Sequence, residues 1–191
     1  MDYKALFHIA MLLISSPAKA WEEIRLEEDR RKVFTAFVYP MIGLCGISVF
    51  IGILIEGGGE GNIIFQRAMT ACCAVFVALF GGYFLAAYGI NQLGVKMFGL
   101  KNNLSLIQQF AGYAMVVTFL LDIITGILPG FFILSWIFQF YIIYIVWEGT
   151  RVLIQVEEKK QMSYTIMASL LLIACPAILE LIFNKLTVIL N

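Results

Sequence analysis

A single histidine, His8, and four cysteines without any Cys-x-x-Cys spacing leave this 191-residue chain without the ligand sets from which zinc sites are built. It has no Gly-x-Ser-x-Gly, no P-loop, and no grouping of Ser, Lys and His spaced to activate a nucleophile, so no recognisable catalytic apparatus is encoded. The run Gly57-Gly58-Gly59-Glu60-Gly61 imitates a phosphate loop in composition only. No strand precedes it and no Lys follows in place, so it reads as a hairpin loop. Charge is scarce as well, with Asp, Glu, Lys and Arg at 14% of residues and a formal net charge of zero. The chain therefore reads as a non-enzymatic protein without a cofactor, a metal or a nucleic-acid partner.

What is present is apolar. Hydrophobic residues make up 61% of the chain and mean hydropathy is +0.91, against the roughly 45 to 50% apolar content of a soluble domain. A helix needs about 20 mostly apolar residues to cross a bilayer. Five stretches qualify, near Val33 to Ile55, Ala68 to Leu93, Gln108 to Leu128, Gly130 to Trp147 and Tyr164 to Leu190. The fold expected is an all-α, polytopic transmembrane helical bundle. Residues 1–32 form an amphipathic N-terminal segment and residues 33–191 the five-span domain. Cys45, Cys72, Cys73 and Cys175 fall inside spans and are expected to serve as small apolar residues.

Basic residues in the short connections set the orientation, because Lys and Arg resist translocation. All but two of the 13 lie on one side: Lys4, Lys19, Arg25, Arg30, Arg31 and Lys32 in the first segment, Lys96 and Lys101 in the second connection, and Arg151, Lys159 and Lys160 in the fourth. Only Arg67 and Lys185 fall on the other. The expectation is a cytoplasmic N-terminus, an outside C-terminus, and residence in the cell (inner or plasma) membrane.

The N-terminus superficially imitates a secretory signal, with Lys4, an apolar run from Ala5 to Ile14, and Ala18-Lys19-Ala20. Asp2 offsets Lys4, His8 interrupts the run, and Trp21 with a dense charge cluster follows. We read it instead as ending in a membrane-surface helix with Ser16 as N-cap and Pro17 in the first turn. Trp21 and Ile24 would dip into the interface, with Glu22, Glu23, Arg25, Glu27 and Glu28 in water.

Thr70, Ala74, Ala78, Gly82 and Ala86 make a smooth ridge on the second span. Ser48 and Gly52 make a shorter one on the first, and these two helices are expected to pair. Pro40 and Pro176 are expected to bend their helices, with a cavity at Pro176 as the alternative to a simple kink. Ionisable groups inside spans point to function, since each costs about 2.5 to 3.5 kcal/mol at a helix centre. Two carboxylates qualify, Asp122 and Glu180, both in the outer half on this topology. They read as a proton, cation or headgroup site, with Asn184 one turn below on the face of Glu180. The competing expectation makes Asp122 interfacial, because its span ends early before Pro129-Gly130, and ties Glu180 to Lys185 or a neighbouring helix. Gln139, Tyr141 and Tyr144 on the fourth span and Gln108, Gln109 and Tyr113 on the third either line a path or bond across the bundle. Glu148 and Arg151 are spaced for a local ion pair at an interfacial helix end beside Trp147.

The chain resembles the Yip1 family of five-span membrane proteins, particularly its bacterial branch. The resemblance rests on Ser16-Pro17-Ala18-Lys19-Ala20-Trp21, similar to a Pro-x-x-Ala-Trp opening, and on Gly112-Tyr113-Ala114. It also rests on Tyr141-Ile-Ile-Tyr144-x-x-Trp147-x-Gly149-x-Arg151. It implies a cytoplasmic N-terminus and an outside or lumenal C-terminus. Eukaryotic members are associated with small GTPases through a longer N-terminal region bearing Asp-Leu-Tyr-Gly-Pro; that motif is absent here, so no GTPase partner is expected. Two readings of function follow. One is a non-enzymatic membrane organiser that binds lipid, a second copy of itself or another membrane protein. The other is a small transporter or channel with a polar site between spans three, four and five.

Overall fold

The computed structural model describes residues 3–57 and 61–190, and within them every regular element is a helix. Asp2, and the loop read at Gly57 to Gly61 apart from its two ends, lie outside the described residues. Four helices are long and apolar enough to cross a membrane. The first runs from Phe34 to Glu56, a π-helical turn (Phe34–Val38) leading into α3 (Tyr39–Glu56). The second is α4 (Gly61–Phe98), the third joins α5 (Leu104–Ala114) to α6 (Val116–Ile127) through Met115, and the last is α9 (Glu158–Leu190). Between α6 and α9 stands a broken pair bent by 42° at Phe140. It comprises a 3-10 turn (Pro129–Phe131) with α7 (Phe132–Gln139), then α8 (Tyr141–Gly149) with a π-helical turn (Thr150–Ile154).

Local chemistry explains the ends. Asn103 caps α5, its side chain accepting from the Leu106 N–H at 3.1 Å. Gly99 at φ +70 and Gly57 at φ +61 end α4 and α3 in backbone regions that favour glycine. Gln155, left-handed at φ 58, stops the last turn after α8. Pro40 sits where the first span passes from π to α geometry, so the expected disturbance there is a change of helix type. α9 runs on through Pro176.

Small residues decide which helices meet. A Cβ on Gly82 would come within 2.6 Å of Pro176, so the ridge of α4 packs on α9. Ser48 and Gly52 face Gly126 of α6, where a Cβ would come within 2.6 Å of the Ser48 Oγ. The first two spans do touch, with Gly46 seated on Phe76 and Cys72. The two ridges, though, serve different partners from the one expected, because α9 and α6 present a proline ring and a glycine flat enough to receive them. Outward-facing side chains such as Ile47, Ile51, Phe84, Leu85 and Ile166 are apolar, as a lipid-facing surface requires. Cys45 and Cys175 are buried, Cys72 is half-buried and Cys73 exposed, and all four are free.

The N-terminal segment is α1 (Tyr3–Ser15) and α2 (Pro17–Arg25). His8 Nε2 lies 3.6 Å from Glu23 Oε2, although a straight helix would hold these residues about 22 Å apart, so the chain doubles back at Ser16 into a hairpin. Its tip reaches the break of the α7–α8 pair, where the Tyr141 hydroxyl donates to the Ile14 carbonyl at 2.7 Å. α2 is amphipathic as expected, with Lys19, Glu22, Glu23 and Arg25 exposed. Its apolar face, however, is covered by protein. Trp21 is fully buried, stacked on Phe110 with centroids 5.5 Å apart and edge-on to Tyr113, and its Nε1–H donates to the Ile145 carbonyl at 2.9 Å. An indole with a buried acceptor in reach gains both packing and a satisfied N–H, which headgroups supply less well.

Candidate functional site

A cavity of about 540 Å³ opens between α3, α4, α6, α7 and α9, at the end of the bundle away from the basic loops. Asp122 and Glu180 both line it, with Glu56 from the last turn of α3. α6 continues to Ile127, so Asp122 stands on the cavity wall rather than at a frayed helix end. Among the described residues no basic side chain is within ion-pair distance of either carboxylate, so Glu180 is not tied to Lys185.

The other polar atoms there are mostly occupied. Gln139 Nε2 donates to Thr118 Oγ1 at 2.9 Å, Thr125 Oγ1 to the Leu121 carbonyl at 2.8 Å, and Ser135 Oγ to the Phe132 carbonyl at 2.7 Å. What remains is a set of acceptors. Pro176, also on the wall, has no N–H to offer the Leu172 carbonyl one turn back. Such a lining suits a cation or a protonated amine and repels an anion. Phe132 and Trp136 of α7 close one side, and no residue of α7 is buried, so the half-helix is a thin apolar wall between cavity and lipid.

Of the six polar residues expected to form a site, the structure brings together Glu180, Asp122 and Gln139. Asn184 is exposed one turn further along α9, and Tyr144 is 47% exposed with its ring tilted on Tyr141. Tyr113 faces the opposite end, where its hydroxyl donates to Glu27 Oε1 at 2.9 Å. Gln109 Nε2 donates to the same carboxylate at 3.0 Å. Glu27, read from the sequence as wet, thus ties the segment after α2 to α5. The available signal was the pair of donors Gln109 and Tyr113 four residues apart on one helix face. Glu148 is 8% exposed and lies 4.0 Å from the exposed Arg151, so only one member of that pair reaches the surface. Among the described residues no group of three or more His, Cys, Asp or Glu is placed to hold a metal ion.

The pattern of the Yip1 domain matches residues 11–179, nearly the whole bundle and most of the N-terminal hairpin. The chain belongs to the Yip1 family. No curated protein and no solved structure matches it. Several of the Yip1-like motif residues sit at close contacts between segments. Trp21 and Phe110 lie so close to Gly149 that a Cβ there would come within 2.7 Å of either ring. A Cβ on Gly112 would meet Val33 and Val38 at 2.8 Å, and Tyr141 holds the hairpin tip. Trp21, Gly149 and Tyr141 therefore mark the dock of the N-terminal hairpin against α5 and α8, away from the acidic cavity, while Gly112 seats α5 on the start of the first span.

Proposed function

We propose that this Yip1-family protein is a non-enzymatic membrane organiser that holds the amine-bearing headgroup of a lipid in the cavity of Asp122 and Glu180. On this reading the chain crosses the cell membrane five times, counting the α7–α8 pair as one crossing. The basic end is cytoplasmic, the C-terminus outside, and a second copy or another membrane protein packs on its apolar flanks. The observation that carries the reading is the sharing of one cavity by two carboxylates without a basic counter-charge in reach, behind a half-helix one layer thick. A protonated amine would supply the missing charge, and acyl chains would lie along Phe132 and Trp136.

The test is lipid retention by native mass spectrometry from nanodiscs containing phosphatidylethanolamine and phosphatidylglycerol. Wild type should keep the amine lipid preferentially, and Asp122→Asn with Glu180→Gln should weaken that preference about tenfold or more, as expected for loss of charged hydrogen bonds. Equal retention of the two lipids by wild type would remove the proposal.

A small transporter or channel is the second reading, favoured by the break at Phe140 beside the same cavity, since discontinuous helices flank many transport sites. Liposome flux of ions, protons or small solutes that Glu180→Gln abolishes would put this reading first, whereas absence of flux for all three would eliminate it. Orientation has its own check. In a cysteine-free background, an impermeant maleimide added to intact cells should label Gly130→Cys, and should label Lys101→Cys only after lysis; the reverse pattern would invert the topology.

A further inference from the structure

A second cavity, of about 360 Å³, lies at the basic end among α4, the loop to α5, the first turn of α5, the residues after α8, and α9. Its polar lining is Asn91, Lys101, Asn103, Gln155 and Tyr164, and no carboxylate lines it. Two asparagines build its frame. Asn91 donates from Nδ2 to Asn102 Oδ1 at 2.8 Å and accepts from the Asn103 N–H at 3.3 Å, while Asn103 caps α5 through the Leu106 N–H. The loop is thereby held with the first turn of α5 on the cavity wall, where the N–H groups of Leu104 and Ser105 have no acceptor inside the helix.

Tyr164 is the group that points to a ligand. It is fully buried, and its hydroxyl has no hydrogen-bond partner among the described residues. The ring is edge-on to Phe98 at 5.2 Å and lies against Gly94, where a Cβ would come 3.4 Å from the ring and 3.8 Å from the hydroxyl oxygen. Gly94 lines the same cavity, so the hydroxyl is held at its wall. A buried hydroxyl without a partner is costly in a native fold and calls for an occupant. Lys101 is exposed at the mouth and forms no ion pair among the described residues. Gln155, held left-handed at φ 58, adds an exposed side-chain amide.

We propose that this cavity binds a phosphate ester, with Lys101 supplying charge, the Tyr164 hydroxyl and the Gln155 amide donating to its oxygens, and the N-terminus of α5 adding its open N–H groups. The lining offers an ammonium, a hydroxyl, an amide and helix N–H donors around one space, with the asparagine acceptors already engaged; that is the complement of an anion rich in oxygen. The ester is either a phospholipid headgroup of the adjoining leaflet or a free phosphate compound.

The experiment has two arms on the full chain. In nanodiscs of phosphatidylcholine doped with phosphatidic acid, native mass spectrometry reads retained lipid; in detergent, calorimetric titration with inorganic phosphate reads free anion. Binding in the first arm alone assigns a lipid headgroup, and binding in the second assigns a soluble phosphate. In whichever arm binds, Lys101→Gln and Tyr164→Phe should each weaken binding about tenfold, Lys101→Arg should retain it, and the control Lys159→Gln should leave it unchanged. Lys101 is exposed, so its substitution leaves the fold intact even if Tyr164→Phe does not. No binding in either arm, wild-type binding by Lys101→Gln, or an equal loss in Lys159→Gln would overturn the proposal.

Discussion

Trp21→Ala is expected to lower the stability of the protein in bicelles by about 3–5 kcal/mol, the range for removing a large buried aromatic side chain. The residue is fully buried, stacks on Phe110, meets Tyr113 edge-on and donates its indole N–H to Ile145. Gly149 lies so near the ring that a larger side chain there would strike it, so the site is shaped to the indole and collapses poorly once it is gone. The effect should be local as well as global. The hairpin of α1 and α2 would undock, and trypsin should then cleave after Arg25 much faster than in wild type. Trp21→Phe separates the components: it keeps most of the packing and loses the hydrogen bond, with an expected loss of about 0.5–1.5 kcal/mol. Equal stability and equal trypsin resistance in wild type and Trp21→Ala would show that the hairpin is not docked through this residue.

Gly52→Ala should be the most damaging single methyl group in the first span. A Cβ at this position would overlap the Gly126 carbonyl oxygen, and backbone, unlike the far end of a side chain, does not step aside. α3 and α6 would have to separate, at a cost of about 1–3 kcal/mol or more. Gly52 and Gly126 also line the acidic cavity, so the separation would displace Asp122 from Glu180. Gly43→Ala on the same helix meets nothing within 4 Å and is the matched control, expected to be neutral or slightly stabilising. Thermal unfolding of both variants in the same bicelles checks the contrast; similar melting temperatures for the two would show that the close approach of α3 and α6 does not hold the bundle together.

Much of the fold was legible in the chain and rather little of the site. The membrane segments stood out because crossing a bilayer sets a minimum apolar length, which is a property of contiguous sequence. The fourth segment, read as Gly130 to Trp147, proved to be a pair of half-helices running from Pro129 to Ile154, because the 42° bend at Phe140 has no Pro or Gly to announce it. Asp122 and Glu180 were picked out by the rarity of carboxylates in apolar helices. Glu56 was missed, since a charge at a helix end looks like any interfacial residue until the neighbouring helices are in place.

Two further residues mark the limit. Trp21 reads in sequence as an interface anchor and Glu27 as a wet carboxylate, yet Trp21 is a buried wedge and Glu27 a hydrogen-bonded clamp on Gln109 and Tyr113. In a soluble helix the apolar face names its partner, because the opposite face must be polar. In a membrane helix both faces are apolar, one for lipid and one for protein, and periodicity no longer tells them apart.

By itself, then, the amino-acid sequence determined the helical membrane class, the position of the membrane segments with ends off by up to about seven residues, the gathering of basic residues into alternate connections, and membership in the Yip1 family. Those are properties of length, composition and local order. Only the tertiary structure decided that Gly52 meets Gly126, that Gly82 meets Pro176, that Trp21 fills the space beside Gly149, and that Asp122 and Glu180 face one cavity. Each depends on which helix lies against which, and in lipid that choice is made by close packing and a few hydrogen bonds, without the polar-to-apolar contrast that writes partners into a soluble sequence.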